Sequence, residues 1–232
     1  MKKIITLLSF TLLLGSCEIL SQLGLPLTQA DVANGLKEAL IQGVNRGGTS
    51  LFSAGANGNS GLLNELLPSN VASIISTARQ LGFAPKIDAV TNKLNTAAVN
   101  TANKAMPIFI SAIRGMNISD AFNILRGDKN AATVFLRRAT SAALTAAIKP
   151  EVNSVFSSVG LQPTLLGNLG TKNPLLSGLD VDLTGMLSNL VCDKMYAKIE
   201  QEEAKIRTNL SDRSTALMQR VFAPGALNNI VK

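Results

Sequence analysis

The sequence contains no histidine and no tryptophan among its 232 residues, and it has only two cysteines and one tyrosine. The absence of histidine excludes Ser-His-Asp and Cys-His catalytic sites, together with zinc, haem and iron sites that use histidine ligands. Two cysteines are too few for a four-cysteine metal site or a framework of disulfide bonds. Aromatic platforms for sugars or single-stranded nucleic acid are also poorly supplied, because Tyr196 is the sole tyrosine and no tryptophan joins it.

Motifs that bind phosphate or calcium are missing as well. The sequence has no P-loop, no dinucleotide-binding fingerprint and no EF-hand spacing of carboxylates. The net charge of +7 comes from 22 lysines and arginines against 15 acids, and the basic residues are scattered along the chain. This pattern indicates a modest attraction to anionic lipid headgroups and argues against a nucleic-acid partner. We expect neither a cofactor nor a bound metal.

Residues 1–16 have the features of a bacterial lipoprotein signal peptide. Lys2 and Lys3 precede an apolar run, Ile4 to Leu14, which is too short to cross a hydrocarbon core of about 30 Å as a helix. The run ends in Leu-Gly-Ser-Cys at positions 14–17, which resembles the lipobox, where the Cys17 thiol receives a diacylglycerol. The alternative is an ordinary signal peptide that happens to contain a cysteine. Cleavage before Cys17 leaves 216 residues and lowers the net charge to +5.

The predicted organisation has four parts. They are a lipoprotein signal peptide over residues 1–16, a lipidated tether over 17–27, a single helical domain over 28–222 and a C-terminal tail over 223–232. Several acyl chains, at about 0.8 kcal/mol per buried CH₂, make a stable membrane anchor. Glu18 follows the lipidated cysteine, and because an aspartate there favours the inner membrane in the enteric convention, Glu18 favours the outer one. We expect the domain to face the periplasm, with the cell surface as the alternative.

The second cysteine lacks an intrachain partner if Cys17 carries lipid. Cys192 lies in a helical apolar pattern, with no histidine in the sequence to activate it. We therefore interpret Cys192 as a small buried hydrophobic residue, with a reactive thiol or an intermolecular disulfide as alternatives.

Apolar spacing predicts helices throughout the body of the chain and no strand. The predicted helices run from Thr28 to Gly47-Gly48, Ser69 or Asn70 to Gly82, Pro85 to about Met106, onward to Met116, Ser119 to Gly127, Asp128 to Lys149, a short one to Gly160, Asp182 to about Asn209, and Ser211 to Phe222. Pro107 either kinks its helix or begins a new one, and Pro150 ends another. Arg46 to Ser60 and Leu161 to Leu179 are predicted loops, and the tail to Lys232 is expected to fray. The resulting prediction is an all-α fold, a compact multi-helix bundle of about seven to nine helices with two irregular loops.

One candidate site is a group of charged residues between positions 120 and 138. Its members are Asp120, Arg126, Asp128, Arg137 and Arg138. The two acids fall in predicted first turns of helices, where a negative charge meets the positive end of the helix dipole. We interpret the group as capping residues and solvated charges, with an anion or peptide site as the alternative. Thr133, one turn before Arg137, would either add a hydroxyl to such a site or bond to its own helix.

A second candidate lies on the longest predicted helix, whose apolar stripe passes through Glu202 and Glu203. At least one of these carboxylates therefore lies at the edge of the core face. Arg207 follows Glu203 by four residues, the favourable order for an ion pair, and Arg213 is the nearest candidate for a further donor. We interpret these four residues as a structural clamp at a helix junction rather than a catalytic site.

Three segments resemble a bacterial family known as domain of unknown function 4197. They are Ala105 to Met116, Ser119 to Asp128 with Ala131 to Leu136, and Glu202 to Arg207 with Arg213 and Val221-Phe222. The resemblance spans about Asp31 to Phe222. It implies a helical protein, secreted or lipid-anchored in Gram-negative bacteria, and it implies no established activity.

Three classes of function remain open. We favour a non-enzymatic envelope lipoprotein that binds a partner protein or supports the outer membrane. The alternatives are a helical carrier of a lipid-like apolar ligand and a hydrolase or lyase that uses carboxylates alone. A large enclosed apolar pocket would favour the carrier, whereas a filled core with an exposed apolar patch would favour the first class.

Overall fold

The chain's structure, a computed structural model, describes residues 26–56, 76–77, 79–160, 182–228 and 230–231. Its α-helices and β-strands are, in chain order, β1 (Leu27–Thr28), α1 (Gln29–Ala56), α2 (Ala84–Gly115), α3 (Ile118–Arg126), α4 (Ala131–Ser158), α5 (Leu183–Thr208), α6 (Ala216–Val221) and β2 (Ile230–Val231). Helical turns lie at Arg79–Phe83, Leu210–Asp212 and Ala226–Asn228. The predicted all-α fold is confirmed, although β1 and β2 form a small parallel pair within these ranges.

Four long helices form the body of the bundle. α1 packs against α2 and α5, and α4 packs against the same two helices, so that α1 and α4 lie across the bundle from each other. The shorter helices α3 and α6 pack on α1. The largest fully buried apolar side chains of the central core are Leu36, Phe109, Ile113, Leu136, Leu144, Ile148 and Tyr196. The rings of Phe109 and Tyr196 meet edge to face, with centroids 5.8 Å apart.

The predicted end of the first helix at Gly47-Gly48 is wrong, because α1 continues through both glycines to Ala56. A Cβ atom on Gly47 would lie 3.2 Å from the backbone nitrogen of Ile199, and one on Gly48 would lie 3.0 Å from the sulfur of Met106. The two glycines therefore allow α5 and α2 to approach α1 closely. This packing offsets their low helix propensity. The predicted loop from Arg46 is wrong as far as Ala56, and residues 57–60 lie outside the described residues.

Two prolines also lie inside continuous helices. Pro150 falls within α4, so the predicted helix end there is wrong. Pro107 falls within α2, so no new helix begins there. A proline inside a helix removes one backbone hydrogen bond. In α4 the buried side chains of Ile148 and Val152 on either side of Pro150 keep both halves packed in the core.

Helix starts follow local side-chain bonds, and two of the predicted ones are present. The amide of Thr28 donates to the Asp31 carboxylate at 2.9 Å, and the Asp31 amide donates to the Thr28 hydroxyl at 3.0 Å. The Asp182 carboxylate accepts from the Gly185 amide at 2.8 Å. These bonds hold the pKa of both carboxyl groups below the usual range.

The predicted helix starts at Ser119, Asp128 and Ser211 are wrong. Asn117, and not Ser119, caps α3, in a capping box with Asp120. α6 begins after Thr215, and Ser211 lies in a separate helical turn before it. α4 begins after Asn130 and not at Asp128, and the Asn130 side chain makes no capping bond.

The C-terminal tail, which the sequence predicted to fray, folds back onto the start of α1 over the described residues. Gly225 adopts a φ of 75° and turns the chain into Ala226–Asn228 and then β2. Ile230 pairs with Leu27 and joins an apolar cluster with Leu27, Val32 and Val221. The remaining predictions at Cys17, at the start of the helix near Ser69 and over 161–179 lie outside the described residues.

Candidate functional site

The apolar stripe of α5 is interrupted by two glutamates, both of which the fold buries. Glu202 is 8% exposed and Glu203 is 6% exposed, and Ile199 and Ile206 on either side of them are also buried. The sequence placed at least one carboxylate at the edge of the core face, and the structure places both there. A buried carboxylate is costly unless donors surround it, so its partners decide its role.

The Glu203 carboxylate caps the N-terminus of α4 from a different helix. Its Oε1 atom accepts from the Ala132 amide at 3.0 Å, and its Oε2 atom accepts from the Thr133 amide at 2.9 Å. The Thr133 hydroxyl adds a third bond, at 2.8 Å to Oε2. The first amides of a helix lack partners within the helix and carry the positive end of its dipole. Glu203 therefore supplies the cap that the side chain of Asn130 does not provide.

Arg207 joins this cap to the end of a third helix. Its Nε atom donates to Glu203 Oε1 at 2.9 Å, which is the predicted pair. Its Nη2 atom donates to the carbonyl oxygen of Ile124 at 2.9 Å, near the C-terminus of α3. The anion thus meets the positive end of α4 and the cation meets the negative end of α3. This arrangement, the Glu203–Arg207 junction, connects α3, α4 and α5.

Arg213 does not belong to this junction, so its predicted role as a further donor to the buried pair is wrong. Its Nε atom donates to the Ile206 carbonyl at 2.9 Å, and its Nη2 atom donates to the Arg207 carbonyl at 3.0 Å. The last carbonyls of a helix lack partners within the helix, and Arg213 satisfies two of them as the chain turns away from α5. Its guanidinium also lies 5.8 Å from the centre of the Phe222 ring.

Glu202 has a different environment from its neighbour. Its carboxylate accepts from Lys205 Nζ at 2.6 Å, and the Lys205 side chain is 53% exposed. Glu202 therefore pairs at the bundle surface, whereas Glu203 pairs inside.

The first charge group is divided among separate local contacts. Asp120 accepts from the Asn117 amide, and Arg126 lies 5.3 Å from the centre of the Phe122 ring. Arg137 pairs with Asp193 and lies over the Tyr196 ring, with its guanidinium carbon 4.4 Å from the ring centre. The backbone carbonyl of Asp128 accepts a hydrogen bond from the Ala131 amide in the turn before α4. The Thr133 hydroxyl joins Glu203, which neither of the two sequence-based alternatives for this residue predicted.

A buried contact between Thr140 and Tyr196 is a further feature that the sequence did not predict. The Thr140 hydroxyl donates to the Leu136 carbonyl at 2.7 Å, so the Tyr196 hydroxyl, 2.8 Å away, donates its own proton to Thr140. Burial raises the pKa of Tyr196. Burial also raises the pKa of the Cys192 thiol, which is 4% exposed, as expected for a small buried hydrophobic residue.

The cavity beside Glu203 is small. It is lined by Leu36, Leu40, Ala132, Ile199, Glu203 and Phe222, among others, and its volume is about 20 Å³. A buried water requires at least roughly 10–15 Å³ of such volume, so this cavity has room for one water and not for an acyl chain.

Two properties of the described residues bear on the site. No group of three or more acidic or cysteine side chains is arranged there to hold a metal ion. None of the helices in the described ranges is both long enough and apolar enough to cross a bilayer.

Glu203 has no free oxygen with which to act as a base or nucleophile. Each of its oxygens accepts two hydrogen bonds, since Arg207 and Ala132 donate to Oε1 and both donors of Thr133 point to Oε2. Any reaction at this carboxylate would have to uncap α4. The geometry therefore supports the structural interpretation of this group.

One family model matches most of the chain. A family model described as "Protein of unknown function (DUF4197)" matches residues 26–223. The chain belongs to this family. The matched region begins one residue before β1 and ends just beyond α6, so it contains the whole Glu203–Arg207 junction. Neither a curated protein nor a solved structure matches the chain.

Proposed function

We propose that this protein is a lipid-anchored envelope protein that acts without catalysis, as a binding or structural module facing the periplasm. The observation that carries the proposal is the order of Lys2-Lys3, an apolar run and Leu-Gly-Ser-Cys at positions 14–17. Small residues before the cysteine give a signal peptidase access to the bond after Ser16, and the Cys17 thiol is the acceptor for the diacylglycerol.

Two features of the fold support this proposal over its alternatives. The best-placed acid, Glu203, uses both oxygens to hold helix ends together. The cavity beside it, at about 20 Å³, is too small for a lipid-like ligand.

The anchor is tested by substituting each of the two cysteines. We expect Cys17→Ser to lose labelled palmitate and to move from the membrane fraction to the soluble fraction. Cys192→Ala is the matched control, and it should keep both the label and the membrane location because its thiol lies inside the bundle. Equal palmitate incorporation in Cys17→Ser and the wild type would contradict the proposal.

The choice of membrane is tested at the residue after the anchor. Glu18→Asp should move the protein from the outer to the inner membrane in density-gradient fractions of an enteric host. Inner-membrane location of the wild type would contradict the outer-membrane assignment. Mass spectrometry of the purified protein tests the carrier alternative, which requires a stoichiometric apolar ligand beyond the acyl chains on Cys17.

A further inference from the structure

An open groove lies at the end of the bundle where α1 begins. It is lined by Ala30, Ala33, Asn34 and Lys37 of α1, and by residues 116–119 at the start of α3, with a volume of about 610 Å³. Ala33 and Met116 form a buried floor. Ile118 is 43% exposed on the rim, although it is a large apolar residue.

A second exposed apolar side chain lies at this end of the fold. Val231 is 42% exposed and belongs to β2, which pairs with β1 immediately before α1. Ile118 and Val231 thus belong to elements that meet at the start of the same helix. We call this surface, defined by Ala30, Lys37, Arg114, Ile118 and Val231, the N-terminal face.

Two cations lie near Ile118 on the N-terminal face. Lys37 Nζ donates to the backbone carbonyl of Arg114 at 3.0 Å, which places the last turn of α2 beside the groove, and Arg114 is exposed. The nearby acids Asp31 and Asp120 each accept a backbone amide at the start of a helix. The positive ends of α1 and α3 offset those negative charges. An apolar rim with adjacent cations suits an anionic lipid surface.

We propose that the N-terminal face docks on the surface of an anionic bilayer, with Ile118 and Val231 against the acyl-chain boundary and Lys37 and Arg114 at the headgroups. The inference rests on the proposed lipidation of Cys17. Nine residues separate Cys17 from Leu27, so a fully extended tether holds the start of α1 within roughly 35 Å of its anchor.

The tether also makes weak surface contacts effective. A domain held near a membrane meets it at a high local concentration, so a small apolar patch suffices to select one orientation. The opposite end of the bundle lies about 48 Å away, because α2 has 32 residues that each rise about 1.5 Å. The tether joins the described fold at Leu27, at the end that carries the N-terminal face.

The test uses the absence of tryptophan from the sequence, since an introduced tryptophan is then the sole reporter of its kind. Ile118→Trp and Val231→Trp place it on the N-terminal face. Leu81→Trp is the matched control, because Leu81 is 55% exposed and precedes α2 at the far end. Each mature, lipidated variant is reconstituted into vesicles of phosphatidylethanolamine and phosphatidylglycerol that contain phospholipid brominated on its acyl chains.

We expect Ile118→Trp and Val231→Trp to lose most of their emission to the brominated lipid and to shift to shorter wavelength. Leu81→Trp should keep its emission. A lipidated protein that floats with the vesicles while all three reporters are quenched equally, or none is quenched, would overturn the docking and leave the anchor intact. A mass spectrum that shows no lipid on Cys17 would overturn the proposed function and, with it, this inference.

Discussion

The Glu203 carboxylate serves as a helix cap that the local sequence of α4 does not provide. The first turn of α4 contains no acidic residue, and its N-cap residue Asn130 makes no side-chain bond to the helix. Glu203 receives two amides and a hydroxyl from that turn, and Arg207 balances its charge. A buried ion pair adds stability when such further donors are present, and losing one partner leaves the other charge buried without compensation.

Substitutions in the junction should show strong coupling. We expect Glu203→Gln to lower the free energy of unfolding by about 3 kcal/mol, because the amide group places a donor against the amides of α4. Arg207→Met should cost less, since the carboxylate keeps its three bonds from Ala132 and Thr133. The double variant should cost clearly less than the sum of the two single variants. Denaturant unfolding measures all three.

Glu202→Gln is the matched control for the junction. Glu202 has a similar exposure, but its partner Lys205 is largely solvated. We expect this change to cost at most about 1 kcal/mol. Additive shifts of less than 1 kcal/mol in Glu203→Gln and Arg207→Met would show that the buried pair does not hold the helix ends together.

Asp31 should contribute a pH-dependent part of the stability. Hydrogen bonds from the backbone and hydroxyl of Thr28 hold the pKa of Asp31 below its usual range. A carboxyl group with a lower pKa in the folded state stabilises the fold above its unfolded pKa, and this contribution is lost as the pH falls through the folded pKa. We therefore expect Asp31→Asn to be less stable than the wild type at neutral pH and to differ less from it in acid. Urea unfolding at about pH 7 and about pH 3 measures this difference, and an equal difference at both pH values would contradict it.

At the scale of the helices, close approach decides where glycine is tolerated. α1 passes α5 at Gly47, where a Cβ atom would lie 3.2–3.3 Å from three backbone atoms of Lys198 and Ile199. Backbone atoms cannot move aside as a flexible side-chain end can. Gly47 therefore lowers the intrinsic stability of the helix but allows α1 and α5 to pack closely.

Alanine at this position should destabilise the protein despite its higher helix propensity. We expect Gly47→Ala to cost about 1 kcal/mol net, because overpacking outweighs a propensity gain of up to about 1 kcal/mol. Gly115→Ala is the control, since Gly115 ends α2 and a Cβ there would meet nothing within 4 Å. Thermal unfolding should rank Gly47→Ala below the wild type and Gly115→Ala at or above it. The reverse order would show that helix propensity, and not helix contact, dominates at Gly47.

At the scale of the whole molecule, the described tail ties the C-terminal end of the chain to the start of α1. Ile230 packs into the cluster of Leu27, Val32 and Val221, whereas the adjacent Val231 points outward and is 42% exposed. Consecutive residues of a strand face opposite sides, so the two side chains differ in burial although their backbones pair with β1 in the same way.

This contrast predicts different effects for two neighbouring substitutions. We expect Ile230→Ala to lower the free energy of unfolding by about 1–2 kcal/mol. This is less than the usual cost of truncating a fully buried isoleucine, because Ile230 is only half-buried. Val231→Ala should stay within about 0.5 kcal/mol of the wild type. Chemical denaturation of both variants compares them directly. Equal and negligible effects would indicate that the tail frays in solution.

Features that depend on neighbours within about four residues could be read from the sequence alone. Helical spacing established the all-α class, and Thr28 and Asp182 marked two helix starts that the structure contains. The interrupted stripe on α5 showed that a carboxylate would lie at the core face, and the four-residue spacing predicted its bond to Arg207. These inferences succeed because helix geometry alone places residues three and four apart on one face.

The contacts between distant parts of the chain could not be predicted from the sequence and are defined by the folded structure. Glu203 caps a helix whose Thr133 lies 70 residues earlier, and nothing local to either residue indicates that pairing. The persistence of α1 through Gly47, the continuation of α4 through Pro150 and the return of the tail to Leu27 likewise depend on neighbouring elements. In a helix interior, glycine is about 1 kcal/mol and proline about 3 kcal/mol less favourable than alanine. Burial of apolar side chains against a neighbouring element offsets differences of that size.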